Sequence, residues 1–427
     1  MPRIDRRGFI KLAGAAAFAG AVGAPHVARA QAAPRVVVIG GGFGGASAAK
    51  ALRRWAPNVQ VTLVEAKRSF ITCPYSNLVL AGWRTMEEIT FGYDGLAKAG
   101  VTLAHDTATA IDATARTVRL AGGQSLAYDR LIVSPGIEIK WGAIAGYDEA
   151  AAQKMPHAWL PGEQTVLLRK QLEAMPDGGV VVMSIPANPF RCPPGPYERI
   201  GMIAAYLKRA KPRSKLIALD AKDAFSKKPL FEDGWKKFYG DMVEWVALSK
   251  DGQVTKVDVG AMSLETQLGT VHKAAVANVI APHHAGKIAR DAGLTDASGW
   301  CPIDARTFES RLHKGIHVIG DATIAAPAPK SGFVANSMGK VAAAAAIDML
   351  AGREPSTKTW VNTCYSHVAQ DYAISVAGVY TADANGAVAE VKDSGGVSPR
   401  EAPDDFRRQE AIYADSWYES ITKDTWG

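Results

Sequence analysis

Three apolar, β-branched runs bounded by glycine or proline mark the first third of the chain: Val36 to Ile39, Val59 to Val64, and Leu131 to Val133. Unbroken apolar runs of this length read as strands buried on both faces, as in parallel sheets covered by helices. An Ala-rich helical stretch separates the first two, which gives the order strand, glycine turn, helix, strand and opens a doubly wound fold. A second such unit begins at Val180 to Met183, continues through a helix near Tyr197 to Arg209, and returns as Leu216 to Leu219. Gly315 to Asp321 is one more strand, ending in Gly-Asp and followed by a helix over Asn336 to Leu350. From about residue 358 aromatics, turn residues and charges alternate without a clear period. The pattern predicts an α/β chain of two Rossmann-like dinucleotide-binding domains and a small C-terminal α+β domain. The expected boundaries are 31–145 with 290–357 for the first domain, 146–289 for the second and 358–427 for the third.

A chain of 427 residues, 48% hydrophobic, is long enough for that organisation. Its first thirty residues stand apart. Asp5-Arg6-Arg7-Gly8-Phe9-Ile10-Lys11 precedes an Ala/Gly-rich apolar run that closes on Ala28-Arg29-Ala30. This reads as a twin-arginine signal peptide, residues 1–30, with a mature start at Gln31 and a periplasmic destination. That route exports folded proteins, so a cofactor acquired before export is expected. Without Arg3, Arg6, Arg7, Lys11, Arg29 and Asp5 the formal charge falls from +7 to +3. No basic block or Lys/Arg stripe interleaved with aromatics remains, which argues against nucleic acid. No run of about eighteen apolar residues follows, so no membrane span is expected.

The first glycine turn, Gly40-x-Gly42-x-x-Gly45, lies directly between a strand and a helix. It permits close approach of a pyrophosphate to the helix N-terminus, where free amides and the dipole favour anions. Glu65 ends the next strand, where a carboxylate takes ribose hydroxyls. Ser134-Pro135-Gly136 after a strand and Asp321 after Gly320 are further fingerprints. They resemble those of the pyridine nucleotide-disulfide oxidoreductase superfamily and imply FAD rather than NAD. The second turn, Ser184 to Pro189, has no glycine and two prolines where amides should face a phosphate. NADH is not expected there, and Asp220 reads as a plain strand-end acid.

The mature cysteines are Cys73, Cys192, Cys301 and Cys364, with no Cys-x-x-Cys and no Cys-x-x-Cys-His, which excludes covalent c-type haem in this chain. Histidines are scattered, so no metal site is expected. In an oxidising compartment a structural disulfide is the default reading. The segments Thr72 to Asn77, Pro189 to Arg199 and Asn362 to Ser366, with Tyr413 to Tyr418, resemble the flavoprotein subunit of flavocytochrome c sulfide dehydrogenase. The resemblance implies that Cys73 is bonded through sulfur to the flavin 8α-methyl group, and that Cys192 and Cys364 form a redox disulfide attacked by sulfide. It further implies that Glu198 moves a proton, that Trp417 packs near the flavin, and that a c-type cytochrome subunit takes the electrons. An inert disulfide, and a solvated helix-terminal acid at Glu198, are the plainer readings of the same residues. Cys301 has no derivable role, and which cysteine takes sulfide stays open. Two other functions fit the residues: a sulfide:quinone reductase, and a flavoprotein that passes electrons or maintains thiols in a sulfur-oxidising complex. Against quinone, residues 401–427 carry seven acids and three bases, a poor match to an interfacial helix.

Overall fold

In the computed structural model, which describes residues 32–427, the strand Arg35–Ile39 pairs in parallel with Gln60–Val64 on one side and Arg130–Val133 on the other. Thr102–Ala104 and Ile316–Val318 extend this parallel array at its two ends. Two short antiparallel strands, Ile303–Asp304 and Glu309–Ser310, complete seven. The helices Phe43–Trp55 and Gly332–Leu350 pack against each other at this sheet. Gly339 sits at their closest approach, where an added Cβ would lie 2.4 Å from the Gly44 carbonyl oxygen. A second, wholly parallel sheet runs Val243–Val246, Lys215–Asp220, Val180–Ile185, Val276–Val279. The helix Gly195–Ala210 connects its two central strands. All of this lies within one compact unit, Pro34–Gly427, and the α/β class expected from the pattern is what folds.

Most element ends differ from the pattern by one to four residues, as two examples show. The strand expected from Val59 begins at Gln60. The helix expected from Asn336 begins four residues earlier, at Gly332, because the Ser331 hydroxyl accepts from the Val334 amide at 3.1 Å and caps the first turn.

The C-terminal region is more regular than its sequence suggests. Trp360–Ala369 and Tyr372–Ala382 form a long antiparallel hairpin, with Val388–Glu390 and Gly396–Val397 on its far strand. The helix Asp404–Trp426 follows and packs on the hairpin. Its buried positions are Arg407, Glu410, Ala411, Ala414, Tyr418, Ile421, Thr422, Thr425 and Trp426, a 3.6-residue stripe. Four of these are polar, and Arg407 and Glu410 pair with each other at 2.9 Å. The period was present, but hydrophobicity did not report it.

Gly332–Leu350 is the one helix among the described residues long and apolar enough to cross a membrane, and 56% of that apolar stretch is buried inside the fold. The twin-arginine segment lies outside the described residues.

Candidate functional site

The glycine turn is fixed by contacts that exclude side chains. Gly40 has φ +96°, and a Cβ there would lie 2.2 Å from the Ser134 carbonyl oxygen. A Cβ on Gly45 would lie 1.9 Å from the Gly40 carbonyl oxygen. Gly45 therefore packs helix on turn, while Gly40, Gly41 and Gly42 line an adjoining cavity. Glu65 braces the turn by accepting from the Gly41 amide at 2.8 Å and from the Lys67 amide at 3.0 Å.

The cavity holds about 640 Å³ and runs from this turn past Gly136, Asp321 and Trp417 to Cys73, Cys192, Cys364 and Glu198. Every site residue singled out in the sequence lines it except Gly45. Its size is that of a cofactor site, and its polar groups suit a dinucleotide. The N-terminus of Phe43–Trp55 opens beside the turn and carries no acid in its first turn, as an anion requires. Asp321 Oδ1 and Trp417 Nε1 are buried without a hydrogen-bond partner. Such atoms are costly unless a ligand satisfies them. Burial pushes the Asp321 carboxyl up, with Arg191 and Lys330 opposing it. These residues fit a flavin dinucleotide.

At the other end of the cavity the thiols meet. Cys73 follows the short strand Ser69–Ile71 in a turn closed by Ser76, whose hydroxyl donates to the Cys73 carbonyl at 2.7 Å. Cys192 precedes the helix Gly195–Ala210 in a left-handed conformation, φ 58°. Its amide donates to the Lys330 carbonyl at 2.7 Å, and its carbonyl accepts from the Gly195 amide at 2.8 Å. Cys364 comes from the hairpin strand Trp360–Ala369. All are free thiols in this structure. Cys73 and Cys192 are hydrogen-bonded to each other: that bond, with Arg191 and Arg199, holds the Cys73 thiol down against burial, while the Cys192 thiol is pushed up by the same bond and by burial. Cys301 is fully buried away from the cavity, its thiol pushed up to about 12 by burial.

Glu198 is not a solvated terminal acid. One carboxylate oxygen accepts from Asn77 Nδ2 at 2.8 Å and the other from the His367 amide at 3.0 Å, so it ties the helix Gly195–Ala210 to the hairpin strand beside Cys364.

Sequence reading missed the cations. Arg199 is fully buried, with Nε on Asn77 Oδ1 at 3.0 Å and its Nη atoms on His157, Ala158 and Asn278. Arg191 lines the cavity with a buried, unpartnered Nε. Lys330 is pulled down to about 8 by burial, and its ammonium donates to the Asp321 and Thr323 carbonyls at 2.8 and 2.6 Å. Arg191 and Arg199 flank Cys192 in sequence, which is the only available signal. In the second sheet the Asp220 carboxylate is consumed internally by the Tyr197 hydroxyl at 2.7 Å, Trp245 Nε1 at 3.0 Å and Lys222 Nζ at 2.6 Å. Lys222 also donates to the Pro186 carbonyl at 2.6 Å, inside the proline-interrupted turn.

Two nucleotide-type folds in one chain and a glycine-turn cavity ending in thiols define a flavoprotein oxidoreductase. Residues 34–158 match the family described as pyridine nucleotide-disulphide oxidoreductase. Residues 165–281 match the central region of sulfide dehydrogenase [flavocytochrome c] flavoprotein chain, and residues 356–426 match the flavin-binding region of flavocytochrome c sulphide dehydrogenase. A 45-residue stretch, 10% of this chain, is 67% identical to 94% of the curated flavoprotein chain of that enzyme from Chlorobaculum thiosulfatiphilum. The chain belongs to the flavocytochrome c sulfide dehydrogenase flavoprotein family, and the family implies FAD. It is also similar to the mitochondrial sulfide:quinone oxidoreductase of Mus musculus, 22% identical over 71% of this chain and 70% of that one. The crystal structure of the sulfide:quinone oxidoreductase from Aquifex aeolicus superposes with a TM-score of 0.71 at 19% identity, covering 92% of this chain and 91% of that one.

Proposed function

We propose that this protein oxidises sulfide to sulfane sulfur through a Cys192–Cys364 redox pair and delivers the electrons to a c-type cytochrome subunit, working in the periplasm after twin-arginine export. One observation carries the reading: three cysteines from distant segments, together with Glu198, converge on the cavity that begins at the glycine turn. A staple would not need to open onto a cofactor cavity.

FAD, when bound, supplies the two-electron acceptor that free thiols lack. Gly40 to Gly42 and the helix N-terminus would hold its pyrophosphate, Glu65 a ribose, Asp321 the ribityl chain, and Cys73 would tether the ring through sulfur. A depressed thiol pKa favours the nucleophilic thiolate that tethering needs. Hydrosulfide attacks one sulfur of the oxidised pair. One S–S bond breaks and another forms, leaving a persulfide on one cysteine and a thiolate on the other. Glu198 is the carboxylate placed to take the proton that sulfide or persulfide gives up. Arg191 and Arg199 make the sulfur end electropositive, which favours an anionic substrate.

The quinone reading is favoured by the length over which the sulfide:quinone oxidoreductases match. A steady-state comparison of sulfide oxidation with cytochrome c and with a soluble quinone analogue decides between them. Faster haem reduction supports the proposal, and quinone turnover without haem reduction replaces it.

A further inference from the structure

Lys227 is the least expected charge near the thiols. It stands immediately ahead of the helix Lys228–Tyr239 with φ 64°, a left-handed conformation that non-glycine residues seldom adopt. Only 6% of the residue is exposed. Its ammonium donates to the Ser366 hydroxyl at 2.9 Å and to the Ile374 carbonyl at 3.3 Å. Both acceptors are neutral, and among the described residues no carboxylate pairs with it. A buried ammonium without a counter-ion is unfavourable unless negative charge arises close by.

Ser366 leads to where that charge arises. It lies two residues beyond Cys364 on the strand Trp360–Ala369, and both residues line the cavity. Residues two apart on a strand share a face. Lys227 is not itself a lining residue and reaches the cavity wall through Ser366. The ionisable groups that act on it are Cys364 first, then Glu198, Cys192 and Glu410. Around Cys364, burial pushes the thiol up, Lys227 opposes that as the sole cation, and Glu198 and Cys73 reinforce it. At Cys192 the largest influences, Cys73, burial, Cys364 and Glu198, all push the thiol up, and Lys227 acts on it less than on Cys364.

We propose that Lys227 is a positioning residue of the sulfur site, a buried cation that holds the sulfur of Cys364 as an anion once the Cys192–Cys364 pair is reduced. This rests on the reading of that pair given above. Opening the disulfide with hydrosulfide gives one cysteine the incoming sulfur and the other the electron pair of the broken bond. If Cys192 is attacked, Cys364 departs as thiolate. If Cys364 is attacked, it bears a persulfide that ionises readily, the proton passing to Glu198 or water. Either way Lys227 faces the anionic sulfur.

The test reads thiol ionisation rather than turnover. In the reduced holoprotein, iodoacetamide alkylation of each cysteine is followed by peptide mass spectrometry from pH 6 to 10. Lys227→Met should raise the apparent pKa of Cys364 by at least about one unit, slowing its alkylation near neutrality about tenfold. Lys227→Arg should restore most of the rate, and the Cys192 profile should move far less. An unchanged Cys364 profile, or equal shifts at Cys192 and Cys364, overturns the proposal. Should Lys227→Met not fold, Ser366→Ala, which removes the hydroxyl that anchors the ammonium, should shift Cys364 in the same direction, and no shift in that variant overturns it equally. A protein that shows the Cys364 shift yet never oxidises sulfide sinks the functional reading and leaves the role of Lys227 standing.

Discussion

Cys73, Cys192 and Cys364 share a cavity but not an electrostatic environment. Cys73 is held toward the thiolate by its bond to Cys192 and by two arginines, whereas Cys192 and Cys364 are pushed the other way. Cys73→Ser should therefore move flavin from the denatured protein pellet into the acid supernatant, while the native sequence keeps yellow-green fluorescence on a denaturing gel. Free flavin from the native protein would remove the tether. Cys192→Ser or Cys364→Ser should abolish sulfide oxidation and leave flavin content unchanged, as judged by the absorbance spectrum of each purified variant. If the variants fold poorly but their folded fraction turns over normally, the disulfide is a staple. Glu198→Gln keeps an acceptor oxygen for only one of its two donors, Asn77 Nδ2 or the His367 amide, and loses the base, and kcat should fall on the order of a hundredfold or more. The glycines, Glu65, Asp321 and the three cavity cysteines were legible residue by residue because each sits in a local motif. Arg191, Lys227 and Lys330 were not, since a buried lysine and a solvated one look alike in sequence.

At the scale of elements, the C-terminal helix does more than cover the hairpin. Trp426 near its end donates from Nε1 to the Gly41 carbonyl at 3.0 Å and stacks on Phe70 and Phe91 at 5.2 and 5.3 Å between centroids. The helix thus holds the turn at Gly41, next to Gly40, against which the Ser134 carbonyl packs. Trp426→Ala should cost about 3–5 kcal/mol of stability by chemical denaturation and lower the flavin occupancy of the purified protein. Normal occupancy at unchanged stability would show that this contact is idle. The second nucleotide-type unit carries the opposite prediction. Asp220 and the Ser184–Pro189 turn are bound to Tyr197, Trp245 and Lys222, so anaerobic NADH should not bleach the flavin. Rapid bleaching at micromolar NADH would contradict this.

At the scale of the whole molecule, stability should depend on pH through buried histidines. Burial lowers His157 to about 3 and His317 to about 4, each from an ordinary value near 6.5. Between the lowered and ordinary values the unfolded chain binds more protons than the folded one, so stability rises with pH there and is lost as pH falls below about 6.5. Each histidine should contribute a loss of about 2 kcal/mol at pH 5 relative to pH 8. Thermal midpoints of the flavin-loaded protein at the two pH values, with His317→Asn as the control, check the sign and size. An unchanged midpoint at pH 5 would mean that these imidazoles reach solvent.

The sequence by itself determined the central strands of the two sheets, the glycine turn with its acid, and the degenerate second turn, because strand runs, φ-permissive glycines and proline-blocked amides act over a few residues. It also carried the family through the contexts of Cys73, Cys192 and Cys364. It left the C-terminal helix obscure, because that helix buries an Arg407–Glu410 pair and threonines where a hydrophobic stripe would be sought. Only the tertiary structure decided that three cysteines up to 291 residues apart share one cavity, that Glu198 bridges to the strand of Cys364, and that Lys227 is buried beside it. Those facts depend on chain segments brought together by packing, and the charge a side chain feels is set by its neighbours in space and by the water they exclude.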